Sequence, residues 1–557
     1  MSMLQPITLL PSPRQIRLLD GFSSGPVRAV IDPGVARPQG YRLLISPTGI
    51  ELIGHDSAGL FYGQQTLSQL RRLFGSQLPN LQIEDWPDFP VRGVMLDISR
   101  DKVPTMATLL QLVEMLAEWK INQLQLYTEH TFAYLGYEEV WKDASPLTPN
   151  EMKQLDEYCR ERFIELVPNQ NSFGHMERWL RHPRYLPLAE SPEGAPHPAG
   201  YFWKGPFSLC PTDPKCVDFL ADLYGQLLPN FSSRLFNVGC DETFDIGYGR
   251  SKSECDRRGV ANVYLDFLEK VHKLVESHGR RMMFWGDIVL HHPESAARLP
   301  KDVIALNWGY EADHLFDAET SIFAKAGIPF YVCPGTSSWC SIAGRTDNML
   351  ANQRNAAEAG LRNGAIGYLN TDWGDFGHLQ YLPITFAGLA AGAMMSWCLE
   401  SNRSADLPAA LDTHAFHDRA GVMGKLARDL GNVYLSAGKL MKNRSALFNL
   451  LVPSSTHLDP MQRITREAME ATESAIASAI APLDSAKMDR PDADLIRDEF
   501  RNAAAMLRAA CRRGLGENPS MDEIIHEHRR LWLARNRPGG LEDSILRLTS
   551  GKDAPLW

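Results

Sequence analysis

The sequence predicts an α/β fold: a (β/α)8 barrel of the TIM type, with a small N-terminal α/β domain before it and a helical region after it. Two observations point to the barrel. Eight apolar, strand-like runs lie between residues 91 and 373, and a helix-like segment separates each from the next. Near-continuous apolar strands that alternate with helices are parallel strands covered by helices, and eight such units close a barrel. A third observation concerns the remainder. From about residue 401 the chain is rich in Ala, Leu, Arg and Glu and shows no convincing strand. The expected domains are therefore 1–88, 89–402 and 403–557.

In the first domain, YRLLISPTGIELIGHD carries two strand-like runs, RLLIS and IELIG, joined at a Pro-Thr-Gly turn. SAGLFYGQQTLSQLRRLF follows with apolar residues at helical spacing and Ser57 as the expected N-cap. WPDFP, at 86–90, marks a linker. The barrel strands are expected within 91–99, 121–129, 163–171, 235–243, 280–288, 302–310, 328–336 and 365–373. A doubly wound open sheet would need a Gly-rich phosphate turn after its first strand, and LDISRDKVPT is not one. In the last region, MQRITREAMEATESAIASAIAPL suggests a helical bundle. Its helices could supply a homo-oligomer contact or cap the barrel mouth.

Composition narrows the function classes. Hydrophobic content of 44% and charged content of 22% are those of a globular protein. A net charge of −10 with no basic block argues against nucleic acid or an anionic membrane as partner. No apolar run reaches the roughly 18 residues that span a bilayer. The first residues, MSMLQPITLLPSPRQ, do not have the form of a secretory signal. Nine scattered cysteines without a CxxC are expected to be reduced thiols of a cytoplasmic protein. No metal or cofactor is expected: His291 and His292 are adjacent and lack the i, i+4 spacing of a helical zinc site.

The active site of such a barrel lies at the C-terminal strand ends. Strand 1 begins near Arg92 and carries Asp97 and Arg100 towards its end. Strand 2 ends at Glu129 and His130. Strand 3 runs into Asn169, Asn171 and His175, and strand 4 ends at Asp241 and Glu242. Strand 5 ends at Trp285 and Asp287, strand 6 at Trp308 and Tyr310, strand 7 leads to Trp339, and strand 8 to Asp372, Trp373 and Asp375. Single tryptophans usually fill cores, but four at equivalent strand ends form a ring whose faces suit the apolar faces of sugars. Two touching carboxylates push one pKa up, which gives a protonated acid able to protonate a departing glycosidic oxygen. Adjacent acids cannot flank a bond, so one donates the proton while its neighbour handles a second group on the same sugar.

VRGVMLDISR, KINQLQLYTE, VPNQNSFGH and NVGCDET, in this order, resemble glycoside hydrolase family 20, the β-N-acetylhexosaminidases. The segment ending GYRLLISPTGIELIGHDSAGLFYGQQTLSQL resembles the small domain that precedes the barrel in that family. The resemblance covers about residues 30–400. It implies exo-acting removal of terminal β-linked GlcNAc or GalNAc by substrate-assisted retention, in which the sugar's 2-acetamido oxygen attacks the anomeric carbon. It assigns Glu242 as general acid and base, and Asp241 as the group that orients the acetamido N–H. His175 supports the acid. Arg92, Trp285, Trp308, Trp373 and Asp375 are implied substrate ligands, with Glu129, His130 and Trp339 at the positions around them. Asp97 is left open between a structural role, held by a neighbouring Arg, and one in the site.

The chain departs from the family pattern in three places. Glu129 followed by His130 stands where the family has an aspartate. Phe173 stands where it prefers proline. No tyrosine for the acetamido oxygen is evident after strand 7, where Trp339 lies. These departures keep two other readings open: a related retaining glycosidase for a modified amino sugar or disaccharide unit, and an inactive glycan-binding barrel.

Overall fold

The computed structural model describes residues 7–35, 37–100, 102–452 and 464–549. The first unit is a five-stranded sheet of β1 (Gln15–Ser23), β2 (Val27–Ile31), β3 (Tyr41–Ser46), β4 (Gly49–Gly54) and β5 (Leu78–Asp85), in the order β1-β5-β3-β4-β2. β2 and β4 run parallel and the other pairs antiparallel. β3 alternates buried and half-buried residues, so Tyr41, Leu43 and Ile45 all face the helix Ser57–Phe74. The N-cap of that helix is Asp56, not Ser57. Asp56 is still extended, and its carboxylate accepts from the N–H of Gly59 at 2.7 Å.

The barrel strands are β6 (Val91–Asp97), β7 (Gln123–Tyr127) and β8 (Glu165–Val167). After a small hairpin, β9 (Gly194–Pro196) and β10 (Phe202–Lys204), come β11 (Leu235–Asn237), β12 (Arg281–Trp285), β13 (Ile304–Trp308), β14 (Phe330–Cys333) and β15 (Gly367–Asp372). All eight barrel strands are parallel, and β15 pairs with β6. The last seam, between β8 and β11, is closed by a parallel bridge from Asn169 to Asn237. The interior is partly amide rather than wholly apolar. Gln125 Oε1 accepts from Asn169 at 3.1 Å and from Asn237 at 2.9 Å, and Gln125 donates to Gln123 at 3.2 Å. Leu124 and Leu126, at the intervening positions, join the hydrophobic core. These amide bonds tie β7 to the ends of β8 and β11, and a one-residue slip of β7 would exchange its glutamines for leucines.

Two polar ties dock the first unit against the bottom of the barrel. Asp85 ends β5 and accepts from Lys120 at 3.1 Å, Tyr41 at 2.8 Å and the Trp397 indole at 2.9 Å, all of them buried. The second tie is Glu118, gripped by both terminal nitrogens of Arg72 at 2.5 and 2.7 Å.

Beyond β15 the helix Leu382–Trp397 is buried on every side, which its unpatterned ITFAGLAAGAMMSW run requires. It packs against the helices Thr346–Asn363, Met423–Leu430 and Ala493–Gly514. The predicted bundle segment folds as the helix Arg466–Ile480, and residues 461–463 of that segment lie outside the described residues. One feature of this region was not expected. A two-residue hairpin, β16 (Leu440–Met441) with β17 (Arg444–Ser445), reaches the barrel mouth.

Burial alone would raise the carboxyl of Glu118, but Arg72 and His414 outweigh it and pull it down to about 2. A depressed carboxylate contributes stability at neutral pH that is lost as pH falls through the folded value. Glu118→Gln should therefore be destabilising at pH 7 by up to about 3 kcal/mol. The gap to wild type, followed by urea midpoints, should narrow as pH drops from about 4.5 towards about 2. A gap independent of pH would refute the ion-pair account.

Candidate active site

β11 stops at Asn237, so the acid pair sits on a loop and not on the strand expected for 235–243. Neighbouring strand residues would point to opposite faces. Both acids reach one cavity because Cys240 and Glu242 take left-handed backbone angles, φ 69° and 51°. His175 does the same at φ 55°, and Asn443 at 56°. Non-glycine residues in this region carry strain that the surroundings must hold in place. Two glycines permit the crossing. A Cβ on Gly174 would lie 2.4 Å from the Asp241 carbonyl oxygen, and one on Gly239 2.5 Å from Asn171 Oδ1.

Asp241 is buried and accepts from Asn171 Nδ2 at 3.1 Å. His175 Nε2 lies 3.5 Å from Asp241 Oδ2 and 3.2 Å from Glu242 Oε2. Burial opposes charge on both His175 and Asp241. Their attraction, with hydrogen bonds from Asn171 to Asp241 and between His175 and Glu242, wins: Asp241 is drawn below the usual carboxylate range and His175 well above the usual imidazole range. The carboxyl driven up beside Asp241 is that of Asp287. Burial and the Asp241 charge push it well above the usual range, and its Oδ2 accepts from the Glu242 N–H at 3.2 Å.

Trp285, Trp308, Tyr310 and Trp373 wall the pocket. Trp308 stacks on Tyr310 with centroids 5.3 Å apart, and the Trp373 indole N–H donates to the Tyr310 hydroxyl at 2.7 Å. Arg100, over the face of Trp373, is clasped by acids from three barrel strands or the loops after them: Asp97 at 3.2 Å, Asp375 at 3.6 Å and Glu129 at 3.7 Å. Asp97 also accepts from the backbone of Ser99, Arg100 and Gly374, which makes it the brace of this corner. Asn443 completes the pocket from the C-terminal hairpin. Its N–H donates to Glu311, which Arg345 holds by two bonds of 3.1 Å, and its Oδ1 accepts from Trp339 at 3.0 Å.

The structure thus brings His175, Asp241, Glu242, Trp285, Trp308, Trp373 and Asp375 together, with Glu129 at the adjoining rim. Three expected ligands lie elsewhere. Arg92 is at the start of β6, at the bottom of the barrel, where it donates to the carbonyls of Lys120 and Phe89 and packs on Tyr62 and Trp397. Arg100, just past the other end of the same strand, lines the pocket. His130 is buried outside the pocket, with its pKa lowered by burial and by Arg178. Trp339 stands behind Tyr310, edge to face at 5.0 Å, and props that ring instead of facing the cavity. Arg100, Tyr310, Asp287 and Asn443 were not selected from sequence. The first three do sit at or just past strand ends, so their places were readable.

His175, Asp241 and Glu242 present ligand atoms within 4.8 Å of one another, as do His272 and Glu276 on the outer helix Val260–Ser277 with Asp302 from the loop before β13.

The profile described as glycosyl hydrolase family 20, catalytic domain, matches residues 89–359, and that of the family's domain 2 matches 9–86, together well over half of the chain. The chain belongs to glycosyl hydrolase family 20. A β-hexosaminidase of Akkermansia muciniphila is 26% identical over 283 residues, covering 45% of this chain and 57% of that protein. A lacto-N-biosidase of Bifidobacterium bifidum is 25% identical over 289 residues, covering 48% of this chain and 24% of that protein. The chain thus spans less than two thirds of the length of the curated relatives it matches first. Among solved family 20 structures, Flavobacterium johnsoniae chitobiase is similar with a TM-score of 0.60 over 94% of this chain and 96% of that one, at 15% identity, a likeness of fold. No helix among the described residues is long and apolar enough to cross a membrane.

Burial and the nearby Glu177 raise Glu129 to about 8, so the folded protein keeps its proton through neutral pH. An acid raised on folding costs stability as pH climbs from its unfolded to its folded value. Glu129→Gln should therefore gain on wild type by more than about 1 kcal/mol between pH 4.5 and 8, read from urea midpoints. A constant difference across that range would contradict a proton on Glu129.

Proposed function

We propose that this chain is an exo-acting β-N-acetylhexosaminidase that releases terminal β-linked GlcNAc or GalNAc with retention of configuration. The observation that carries this reading is the ionised, buried Asp241 beside Glu242 on the floor of an aromatic pocket. Asp241 accepts from the sugar's acetamido N–H, which aims the carbonyl oxygen at C1. The Tyr310 hydroxyl already accepts from Trp373, so its own proton is available for the acetamido oxygen. This supports Tyr310, from strand 6, as the replacement for the tyrosine missing after strand 7.

Glu242 gives its proton to the departing glycosidic oxygen as the C1–O bond breaks and the acetamido oxygen bonds to C1. Glu242, now a carboxylate, takes a proton from water. The water oxygen attacks C1, the C1–acetamido bond opens, and the sugar leaves with its original configuration. The positive charge that develops on the cyclised amide sits against Asp241. Arg100 and Asp375 hold the outer hydroxyls, the planar guanidinium suiting a vicinal pair. His175 steadies the acid by contacting both carboxylates. Nine cysteines, all buried and none in a disulfide, fit work in a reducing compartment such as the cytoplasm.

With 4-nitrophenyl β-N-acetylglucosaminide, Glu242→Gln should lower kcat about 100- to 10,000-fold. Asp241→Asn should lower it comparably, and Tyr310→Phe by about tenfold, in line with one lost hydrogen bond. A thiazoline analogue of the cyclised intermediate should inhibit. Equal rates on the matching glucoside, which lacks the acetamido group, would sink the mechanism.

A further inference from the structure

The β16–β17 hairpin is tied to the loop after β14 on both flanks. Buried Arg345 donates to the Met441 carbonyl at 3.2 Å, and the Ser445 N–H donates to the Cys340 carbonyl at 2.9 Å. Glu311, itself held by Arg345, takes the backbone N–H of Asn443. Asn443 is left-handed at φ 56°, at a turn position that favours Gly or Asn. Glycine would serve the backbone there, so the turn alone does not explain the amide. Its orientation is fixed by chemistry. The Trp339 indole N–H only donates, so the atom it meets at 3.0 Å is Oδ1. Nδ2 is then the free end of a side chain that lines the pocket beside Arg100, Glu242 and Asp375. It has no hydrogen-bond partner among the described residues.

We propose that Asn443 is a substrate-binding residue whose Nδ2 donates to one outer hydroxyl, on C3, C4 or C6, of the amino sugar in the pocket. The proposal rests on the hexosaminidase reading above, in which Asp241, Tyr310 and Glu242 are matched to the acetamido group and the glycosidic oxygen. A sugar hydroxyl both donates and accepts, whereas a carboxylate only accepts. A hydroxyl that gives its proton to Asp375 therefore still has an oxygen to satisfy. Arg100 already has three acids around its guanidinium, and Asn443 adds a neutral donor beside it. The bonds to Trp339 and Glu311 set that donor before any sugar arrives, so little ordering is lost on binding. The hairpin lies beyond residues 9–86 and 89–359, which the family profiles match, so this contact is a specificity element of the appended segment.

The test uses the full chain with 4-nitrophenyl β-N-acetylglucosaminide and its 3-deoxy, 4-deoxy and 6-deoxy analogues. Asn443→Gly removes the amide while tolerating the left-handed turn. It should lower kcat/KM on the parent glycoside about tenfold, the worth of one hydrogen bond. On the one analogue that lacks the bonded hydroxyl it should cost less than twofold, and on the other two the tenfold loss should return. Asn443→Asp keeps an acceptor for Trp339 but has no donor, and it should lose at least as much on the parent. The inference is overturned if Asn443→Gly loses nothing on the parent, or loses equally on all three analogues. It is overturned as well if Asn443→Asp matches wild type, because the Trp339 bond would then be the whole role of the amide. Each of these outcomes leaves the proposed function standing, since wild type still cleaves the parent. If wild type does not cleave the parent, the proposed function falls, and the inference with it.

Discussion

Asp97, Glu129, Asp241, Glu242, Asp287 and Asp375 crowd one end of this barrel, and Arg100 is what allows three of them to do so. Asp97, Glu129 and Asp375 come from three different strands or the loops after them, yet all lie within 4 Å of its guanidinium. Burial weighs against its charge, and the surrounding acids more than restore it, so Arg100 stays charged. The ring of Trp373 lies beneath it at 5.0 Å and that of Tyr127 at 5.1 Å. One planar cation therefore ties the first, second and last barrel units to the aromatic wall. Removing it would leave Asp97 and Asp375 facing each other without the cation between them, a cost of several kcal/mol. The Asp241–His175 pair can sit ionised nearby because this corner is already balanced.

The order of elements was legible because the barrel repeats one period eight times, and each strand carried enough β-branched and aromatic residues to stand out between helices. Details that depend on chain direction were harder. Arg92 and Arg100 flank the same strand, β6, at opposite ends. Only Arg100 is at the end where the loops converge. Tyr310 follows Trp308 by two residues and so shares its face, which the strand period alone could have indicated. The strand expected to end at the acid pair stops four residues short of Asp241. Its left-handed residues, Cys240 and Glu242, are not glycines, and nothing in their side chains announces that conformation.

Asn443 was beyond reach of the sequence. It lies in a turn between two-residue strands, about a hundred residues from Trp339, whose indole it meets. Short antiparallel pairs of that size have no periodicity to detect. What places the turn is tertiary: Glu311 binds its backbone, and Arg345 fixes Glu311. The loop with Trp373 and Asp375 is secured in a similar way. Ser544 donates to the carbonyl of Gly377, and His528 bridges Ser544 to Tyr381, at 3.0 and 2.9 Å.

The last 150 residues therefore complete the cavity at the barrel mouth, although the family profiles end before them. A fragment trimmed after the final barrel helix would still possess every acid of the site, but it would lack one side of the cavity and the struts under another. The shape of that cavity can consequently change through substitutions in the appended segment while the acid-bearing scaffold stays untouched.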